Sequence, residues 1–295
     1  MLIGVFVLLV VIGAALRERR IATLTALSMS RRRLGPDGIV IGGEGFVLER
    51  AGAPAVLLLH GGGDTPQTLR YLGEYLHARG FHVVAPLLPG HGRSVGEFRR
   101  LRSQQLVDAA RDAYRELRRE RGWTGVIGLS MGGALAVQVA AEHPDLPALG
   151  LAAPYLEMPR HIERAARMAW LWGPFVPVVE SSEGVSVLDR RENEKSLAYG
   201  VFTAGALRAL YEVVRGAQRA LPAVKAPTLV VQSREDNRIS VASAERAFAK
   251  LGAKEKRLEW ISGAAHVITV DFGRERVFEL LASWLEQHGA APVSS

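Results

Sequence analysis

The sequence predicts an α/β protein whose central, mostly parallel sheet is flanked by helices and interrupted by a small cap. Short β-rich runs alternate with amphipathic stretches from residue 38 onward, a pattern typical of parallel sheets with right-handed crossovers. The run Ala55–Leu59 (AVLLL) is wholly apolar, as expected of a strand buried on both faces. The alternation stops at Pro154 and resumes at Thr228, which indicates an insertion.

The elements before the insertion begin with a predicted hairpin, in which residues 39–41 and 46–48 lie on either side of a glycine turn. Residues 65–79 then have leucines at helical spacing and end before Gly80, a common helix stop. Further strands are predicted at residues 81–87, 125–129 and 149–153, with helices at 103–121 and 131–143.

Two amphipathic stretches inside the insertion, at residues 162–172 and 207–221, predict a pair of cap helices. The sheet then resumes with strands at 228–232 and 256–261 and helices at 241–251 and 273–287. We therefore expect a core formed by residues 38–153 and 224–288, with residues 154–223 as a cap inserted after the sixth predicted strand.

Composition excludes several classes of protein. The 295 residues are 48% hydrophobic and 23% charged, a globular balance. The net charge of +7 is spread along the chain, so no nucleic-acid partner is predicted. The chain has no cysteine, which excludes disulfides, thiolate zinc sites and a cysteine nucleophile. Histidine spacing typical of a metal site, such as H-E-x-x-H, is also missing, and we predict neither metal nor cofactor.

The amino-terminal segment, residues 1–30, is expected to lie outside the core. Residues 2–16 carry no charge, and Arg17, Arg19 and Arg20 follow at once, so we predict membrane contact through residues 2–16. An uncleaved anchor is favoured, although fifteen residues fall short of the ~20 that span a bilayer. The basic cluster would then place the body in the cytoplasm. A secretory signal peptide, with export of the body, and a peripheral apolar helix are the alternatives.

A candidate nucleophile lies at Gly128-Leu129-Ser130-Met131-Gly132, which fits G-x-S-x-G between a predicted strand and a predicted helix. In that context the serine occupies a sharp, strained turn, and glycines two residues away let helix and strand approach closely. We predict that Ser130 is the catalytic nucleophile.

A base and an orienting carboxylate complete the predicted triad. His266 follows the last predicted strand and would face the same sheet edge as Ser130, whereas His60 beside Gly61 is expected to bond to backbone. Asp236 follows residues 228–232, and the order Ser130, Asp236, His266 suits a serine hydrolase on an α/β sheet. Glu235 is the alternative acid, and Asp271 is expected to be structural.

The oxyanion of a tetrahedral intermediate needs two N–H donors. One is predicted to be the backbone N–H of Met131, after the nucleophile. The second is assigned to Gly62 in the loop His60-Gly61-Gly62-Gly63, with Gly61 as the alternative and as a substrate-binding residue. A phosphate-binding role is disfavoured because no Gly-Lys-Ser/Thr follows the glycines.

Several separate motifs together resemble the α/β-hydrolase superfamily and, within it, bacterial monoacylglycerol lipases and small thermostable carboxylesterases. They are LLLHGGG at 57–63, PLLPGHG at 86–92, GLSMGG at 128–133, APTLVVQSREDNRI at 226–239 and AHVITVD at 265–271. The resemblance implies an α/β-hydrolase fold, the Ser130/Asp236/His266 triad, and a cap above an acyl pocket. Members of this subgroup usually have a bulky aromatic residue directly after His-Gly, whereas this sequence has Gly62 at that position. The smaller residue is expected to widen the acyl pocket.

The predicted function is serine-dependent hydrolysis of carboxylic esters through an acyl-enzyme, on a small-molecule substrate of acyl or monoacylglycerol type. Four cap residues are expected to line the pocket, namely Trp170, Trp172, Phe175 and Leu207. The same triad also suits a thioesterase, a small-amide peptidase or an acyltransferase. The alternative from another class is a catalytically silent, membrane-tethered binding module.

Overall fold

The computed structural model describes residues 2–30, 32–176, 178–180 and 186–289. Its strands are β1 (Phe46–Leu48), β2 (Ala55–Leu59), β3 (His82–Ala85), β4 (Thr124–Leu129), β5 (Leu149–Ala152), β6 (Val178–Glu180), β7 (Val201–Thr203), β8 (Thr228–Ser233) and β9 (Lys256–Ile261). Its helices are α1 (Leu2–Met29), α2 (Arg70–Ala78), α3 (Val95–Arg99), α4 (Ser103–Arg121), α5 (Met131–Glu142), α6 (Arg160–Arg167), α7 (Ala169–Trp172), α8 (Arg190–Lys195), α9 (Ala204–Ala220), α10 (Val241–Lys250) and α11 (Arg274–Gln287).

The central sheet has seven strands in the order β1-β3-β2-β4-β5-β8-β9. The β1 strand is antiparallel to β3, and all other neighbours are parallel. This arrangement confirms the predicted fold class. The chain leaves β2 for β3 on one side and returns to β4 on the other, so the carboxyl ends of β2 and β4 are adjacent. Such a switch point is where open α/β sheets bind ligands.

Apolar layers cover both faces of the sheet, as the uninterrupted apolar run in β2 predicts. Leu57 and Leu59 belong to one cluster with residues of α4 and α5, whereas Val56 and Leu58 join residues of α2 and α11. All four side chains are fully buried. This two-sided burial of β2 stabilises the strand from which the His60–Gly63 loop emerges.

The insertion between β5 and β8 contains α6 to α9 and the antiparallel pair of β6 and β7. Helix α9 also belongs to the core layer, because its Ala206, Ala209 and Val213 join the cluster formed with α5. Its Leu207 and Val214 lie on a different face, in a cluster with cap residues. Residues 177 and 181–185 of the predicted cap lie outside the described residues.

The predicted hairpin at residues 39–48 is wrong. Residues 39–41 form no strand, and Val40 makes only an isolated bridge to Leu34. The β1 strand instead pairs with β3, with Phe46 opposite Ala85. The Phe46 ring packs tightly beneath Gly73 of α2. Burial of this ring stabilises the pairing of β1 with β3 at the edge of the sheet, in place of a hairpin with residues 39–41.

The expectation that the amino-terminal segment lies outside the core is also wrong for its second half. Leu24 of α1 is 7% exposed and belongs to the main apolar cluster, with Ile21 and Met29 packed against it. Nearer the amino-terminal end of the helix, Arg17 Nε donates to the carbonyl of Pro174 in the cap at 2.7 Å.

Within the part of the chain that the structure describes, no helix combines the length and the apolar character needed to cross a membrane. The prediction of a membrane-spanning anchor is therefore not supported.

Candidate active site

Ser130 occupies the sharp turn between β4 and α5. Its backbone has φ 54° and ψ −117°, a left-handed conformation that costs a non-glycine residue about 1 to 3 kcal/mol. The turn is held by neighbouring backbone groups. The Ser130 N–H donates to Ala152 at 3.1 Å, and its carbonyl accepts from Gly133 and Tyr155, each at 3.0 Å. These bonds stabilise the strained turn and present the Ser130 hydroxyl at the switch point between β2 and β4.

Glycines on either side of Ser130 are required by the closeness of helix and strand. A Cβ added to Gly132 would collide with the carbonyl oxygen of Leu59 at the end of β2. One added to Gly128 would collide with the carbonyl of Gly132. Only glycine leaves room at these two positions, which is the physical reason for the G-x-S-x-G spacing.

His266 lies between Ser130 and Asp236 and is within hydrogen-bond distance of both. Its Nε2 lies 2.8 Å from Ser130 Oγ, and its Nδ1 lies 2.9 Å from Asp236 Oδ2. With a proton on Nδ1, Nε2 is free to accept the serine proton. The side chain of Asp236 is fully buried and that of His266 is 8% exposed. The three predicted triad residues are therefore brought together in one hydrogen-bonded line.

Asp236 is held as a carboxylate by several donors. Its Oδ1 accepts the N–H groups of Arg238 at 2.7 Å and Ile239 at 2.9 Å, and Gln232 Nε2 donates to Oδ2 at 2.6 Å. Burial favours the neutral acid, but His266 and the two backbone N–H groups outweigh that effect and lower the pKa of Asp236. The group next to His266 is thus suited to stabilise an imidazolium.

The two other candidate carboxylates have different partners. Glu235 is exposed, and its Oε2 accepts the N–H of Gly263 at 3.2 Å. Asp271 is buried and accepts four backbone N–H groups. Their distances are 2.7 Å for Ala265, 2.9 Å for Leu188, 2.8 Å for Asp189 and 2.9 Å for Phe272. Asp271 therefore connects the loop that carries His266 to the cap. Among the described residues, Asp236 is the carboxylate that hydrogen-bonds to His266.

The glycine loop after β2 lies against the turn that carries Ser130. A Cβ added to Gly61 would be 3.4 Å from Ser130 Cβ, and one added to Gly62 would be 3.3 Å from Met131 Sδ. The backbone of Gly61 and Gly62 is thus next to Ser130 and Met131, the position at which a serine hydrolase has its second oxyanion donor. Leu210 of α9 lies beyond, 3.9 Å from the same added atom on Gly62.

His60 supports this loop from behind. Its Nε2 accepts the Leu88 N–H at 3.0 Å, so its proton is on Nδ1, which donates to the Gly61 carbonyl at 2.9 Å. Burial and the neighbouring His91 lower the pKa of His60 to about 3. The prediction that His60 bonds to backbone is confirmed, and the neutral ring joins two loops at the site.

An apolar cluster of the cap includes one residue, Tyr155, that lies beside His266. Tyr155 and Leu207 share a cluster with Trp172, and the Tyr155 ring centroid is 6.3 Å from that of His266. Trp170 and Phe175, also predicted to line the pocket, are 68% and 73% exposed. Their role in the pocket stays a prediction. The described residues contain no group of three or more His, Asp or Glu side chains that could hold a metal ion.

Sequence patterns alone did not identify several residues around the site. Tyr155 follows a predicted strand, and nothing in its local pattern marks it. Leu210 belongs to the predicted cap helix at residues 207–221, but its position beside Gly62 was not predicted. Gln232 could have been noticed, because it lies four residues before Asp236 at the end of a buried strand.

Similar proteins cover most of this chain. A thermostable monoacylglycerol lipase of Bacillus sp. (strain H-257) is 26% identical over 250 residues, which are 85% of this chain and 97% of the relative. A carboxylesterase of Bacillus subtilis (strain 168) is 28% identical over 240 residues, covering 81% and 94%. The predicted resemblance is thereby confirmed.

Solved structures share the fold. One from work on the metagenome-derived lipolytic enzymes LipS and LipT has a TM-score of 0.76 at 27% identity, covering 87% of this chain and all of that chain. The monoacylglycerol lipase of Paleococcus ferrophilus has a TM-score of 0.69 at 23% identity, covering 83% and 100%. The profile of the Hydrolase_4 family, described as serine aminopeptidase, S33, matches residues 52–272. This match spans most of the chain, which therefore belongs to that family of α/β-hydrolases.

Proposed function

We propose that this protein is a serine-dependent carboxylic ester hydrolase, similar to carboxylesterases and monoacylglycerol lipases. The observation that carries the proposal is the hydrogen-bonded line from Ser130 through His266 to Asp236, which lies beside the glycine loop. The names of the two bacillary relatives support ester substrates.

The geometry suits a two-step acyl transfer. His266 Nε2 takes the proton of Ser130 as Oγ attacks the ester carbonyl, and Asp236 stabilises the imidazolium. The N–H groups of Met131 and Gly62 donate to the oxyanion. His266 then protonates the leaving alcohol, which leaves an acyl-enzyme on Ser130. In the second step His266 deprotonates water, and collapse of the second intermediate releases the acid and restores Ser130.

The acyl group of the substrate is proposed to lie on the apolar cluster around Tyr155 and Leu207, because the Tyr155 ring is 6.3 Å from that of His266 and Leu207 belongs to the same cluster. A Cβ on Gly62 would lie 3.3 Å from Met131 Sδ and 3.9 Å from Leu210, so apolar atoms surround this position of the loop. Apolar surroundings favour an acyl chain over a charged group, and monoacylglycerols are the proposed natural type of substrate.

Amide, thioester and acyl-transfer chemistry use the same groups, and the family description names a serine aminopeptidase. Amide cleavage differs by requiring protonation of a poorer leaving group. We therefore expect p-nitrophenyl esters to be cleaved faster than the matching anilides and aminoacyl anilides. Faster turnover of an aminoacyl anilide would instead favour the peptidase.

The membrane surface is proposed as a binding partner of the protein. Exposed apolar side chains occur on α1, at Val11 and Leu16, and on the cap, at Trp170 and Phe175. The Arg17 bond to Pro174 links these two regions, and exposed arginines of α1 and α6 lie nearby in sequence. Aromatic and apolar groups flanked by arginine are typical of interfacial binding. Placement of the body in the cytoplasm stays a prediction.

Vesicle sedimentation tests this contact. We expect the full chain to bind phosphatidylglycerol vesicles more strongly than phosphatidylcholine vesicles. We expect Leu16→Ser, a change at an exposed position of α1, to weaken binding without changing hydrolysis of a soluble ester. Equal sedimentation of the variant and the parent protein would contradict a role for this surface.

The proposed activity is tested with p-nitrophenyl esters from acetate to palmitate, using the full chain because α1 packs on the body. We expect hydrolysis by the parent protein and by Ser103→Ala, a control at the half-buried first residue of α4. We expect none above background by Ser130→Ala. Activity that survives in Ser130→Ala would contradict the mechanism. A folded parent protein that is inert across the series would contradict ester hydrolysis.

A further inference from the structure

Tyr199 lies in the connection between α8 and β7 and is 2% exposed. No catalytic pattern in the sequence marks it. Yet its backbone N–H contacts the loop of residues 60–63, here called the oxyanion loop, and its carbonyl, hydroxyl and ring contact other parts of the protein.

The N–H group of Tyr199 donates to the carbonyl of Gly63 at 3.0 Å. Gly63 directly follows Gly62, the proposed oxyanion donor, and has a left-handed backbone with φ 73°. The Tyr199 ring stacks on Phe98 with centroids 4.4 Å apart, and Phe98 Cζ would be 3.7 Å from a Cβ on Gly63. Tyr199 therefore holds the far end of the oxyanion loop both directly and through Phe98.

The hydroxyl of Tyr199 fastens a second loop. It accepts the Arg93 N–H at 3.0 Å and lies 2.9 Å from the Arg93 carbonyl, to which it can donate. The same loop carries Leu88, whose N–H donates to His60. Because His60 bonds to Gly61, the oxyanion loop is held at both ends by groups connected to Tyr199.

The carbonyl of Tyr199 is held by the amino-terminal segment. Ser28 Oγ and Arg32 Nη2 each donate to it at 2.7 Å, and Arg32 Nη2 also donates to Ser28 Oγ at 2.8 Å. The Arg32 guanidinium lies 4.8 Å from the Tyr199 ring centroid. Ser28 and Arg32 are only 6% and 8% exposed. These buried, charge-assisted bonds join α1 to the residue that supports the oxyanion loop.

We propose that Arg32 and Ser28, acting through Tyr199, are positioning residues for the oxyanion loop, so that the amino-terminal segment contributes to turnover. The inference rests on the proposed hydrolase function. Oxyanion donors act only when they are held at the correct distance from the developing charge. Loss of the contacts on Tyr199 frees the Gly63 carbonyl and allows the Gly62 N–H to move away from that position.

The test uses Arg32→Met, which removes the donors and the charge but keeps an apolar stem. Ser28→Ala is the milder variant, and Arg32→Lys is the conservative one. Arg33→Met is the matched control, because Arg33 is the exposed neighbour. Active sites are titrated with a fluorophosphonate, so that kcat refers to folded, reactive enzyme. We measure kcat and KM on p-nitrophenyl butyrate and inhibition by a boronic acid, which forms a tetrahedral adduct with the serine.

For Arg32→Met we expect kcat per titrated site to fall roughly 10-fold, below the ~10²–10³-fold cost of losing a donor outright. KM should change less than about 2-fold, because the interaction matters in the transition state. The boronic acid should bind correspondingly more weakly. Arg32→Lys should recover part of kcat, Ser28→Ala should lose a smaller part, and Arg33→Met should match the parent protein.

The inference is overturned if kcat per titrated site is unchanged in Arg32→Met and Ser28→Ala. It is also overturned if only the titrated fraction falls, since that result describes folding rather than positioning. Failure of the hydrolase proposal is distinguishable, because the parent protein would then neither cleave the ester nor react with the fluorophosphonate.

Discussion

Replacement of Asp236 by asparagine should leave the fold intact and nearly abolish turnover. The structure determines which way the new amide points. Asp236 Oδ1 accepts two backbone N–H groups, so the amide oxygen must occupy that position. The new NH₂ then faces His266 and Gln232, and Gln232 can turn its otherwise unpartnered Oε1 towards it. This orientation is fully hydrogen-bonded and is therefore stable.

An NH₂ group at that position donates to His266 Nδ1 and forces the imidazole proton onto Nε2. The nitrogen 2.8 Å from Ser130 Oγ can then no longer accept a proton. The analogous tautomer change in a serine protease lowers kcat about 10⁴-fold, which corresponds to about 5 kcal/mol of transition-state stabilisation. We expect a fall of similar size here.

The assay is kcat on p-nitrophenyl butyrate, with thermal unfolding as the control for folding. Glu235→Gln is the matched variant, and its kcat should stay within about 3-fold of the parent value because Glu235 bonds to Gly263 and not to His266. A kcat for Asp236→Asn within 10-fold of the parent would refute this reasoning, as would a larger loss in Glu235→Gln.

Three further predictions concern glycines and a buried acid. Gly132→Ala should destabilise the protein by about 3 kcal/mol, the upper end for overpacking, and lower Tm by several degrees in a thermal melt; an unchanged Tm would contradict the close approach to Leu59. Gly62→Phe should reduce kcat/KM for long esters about 10-fold more than for acetate, and an equal change across chain lengths would remove Gly62 from the acyl pocket. Asp64 is buried, and desolvation raises its pKa to about 6. Its folded-state pKa is above the unfolded value, so the folded state binds a proton more readily than the unfolded state. The contribution of Asp64 to the free energy of unfolding therefore falls as pH rises from about 4 to 6. Asp64→Asn should therefore raise Tm more at pH 7.5 than at pH 4.5, and an equal shift at both would contradict the raised pKa.

Much of the sheet was predictable because its central strands β2, β4, β5 and β8 are buried on both faces and because several of the helices are amphipathic. Predicted helix 103–121 coincides with α4, and predicted strand 256–261 coincides with β9. The residues of the proposed triad could be selected from the sequence because each follows a predicted parallel strand at the same sheet edge, which limits the candidates to a few loops.

Contacts between distant segments could not be predicted in the same way. Ser28 and Tyr199 are separated by 171 residues, and neither lies in a pattern that indicates a partner. The pairing of Phe46 with Ala85 depends on the space beneath Gly73, which exists only after α2 has packed. Apolar composition in α1 indicated membrane contact, whereas the burial of Leu24 and Ser28 depends on the cap surface beside it.

The central claim, that Ser130 is the nucleophile of a hydrogen-bonded triad, is tested most directly by locating the covalent adduct. The full chain is treated with a fluorophosphonate, and the modified peptide is identified by mass spectrometry, with His266→Ala treated in parallel. We predict one adduct, on Ser130, and reaction slowed by at least about 10²-fold without the base. An adduct on another serine, or none on the folded protein, would contradict the mechanism.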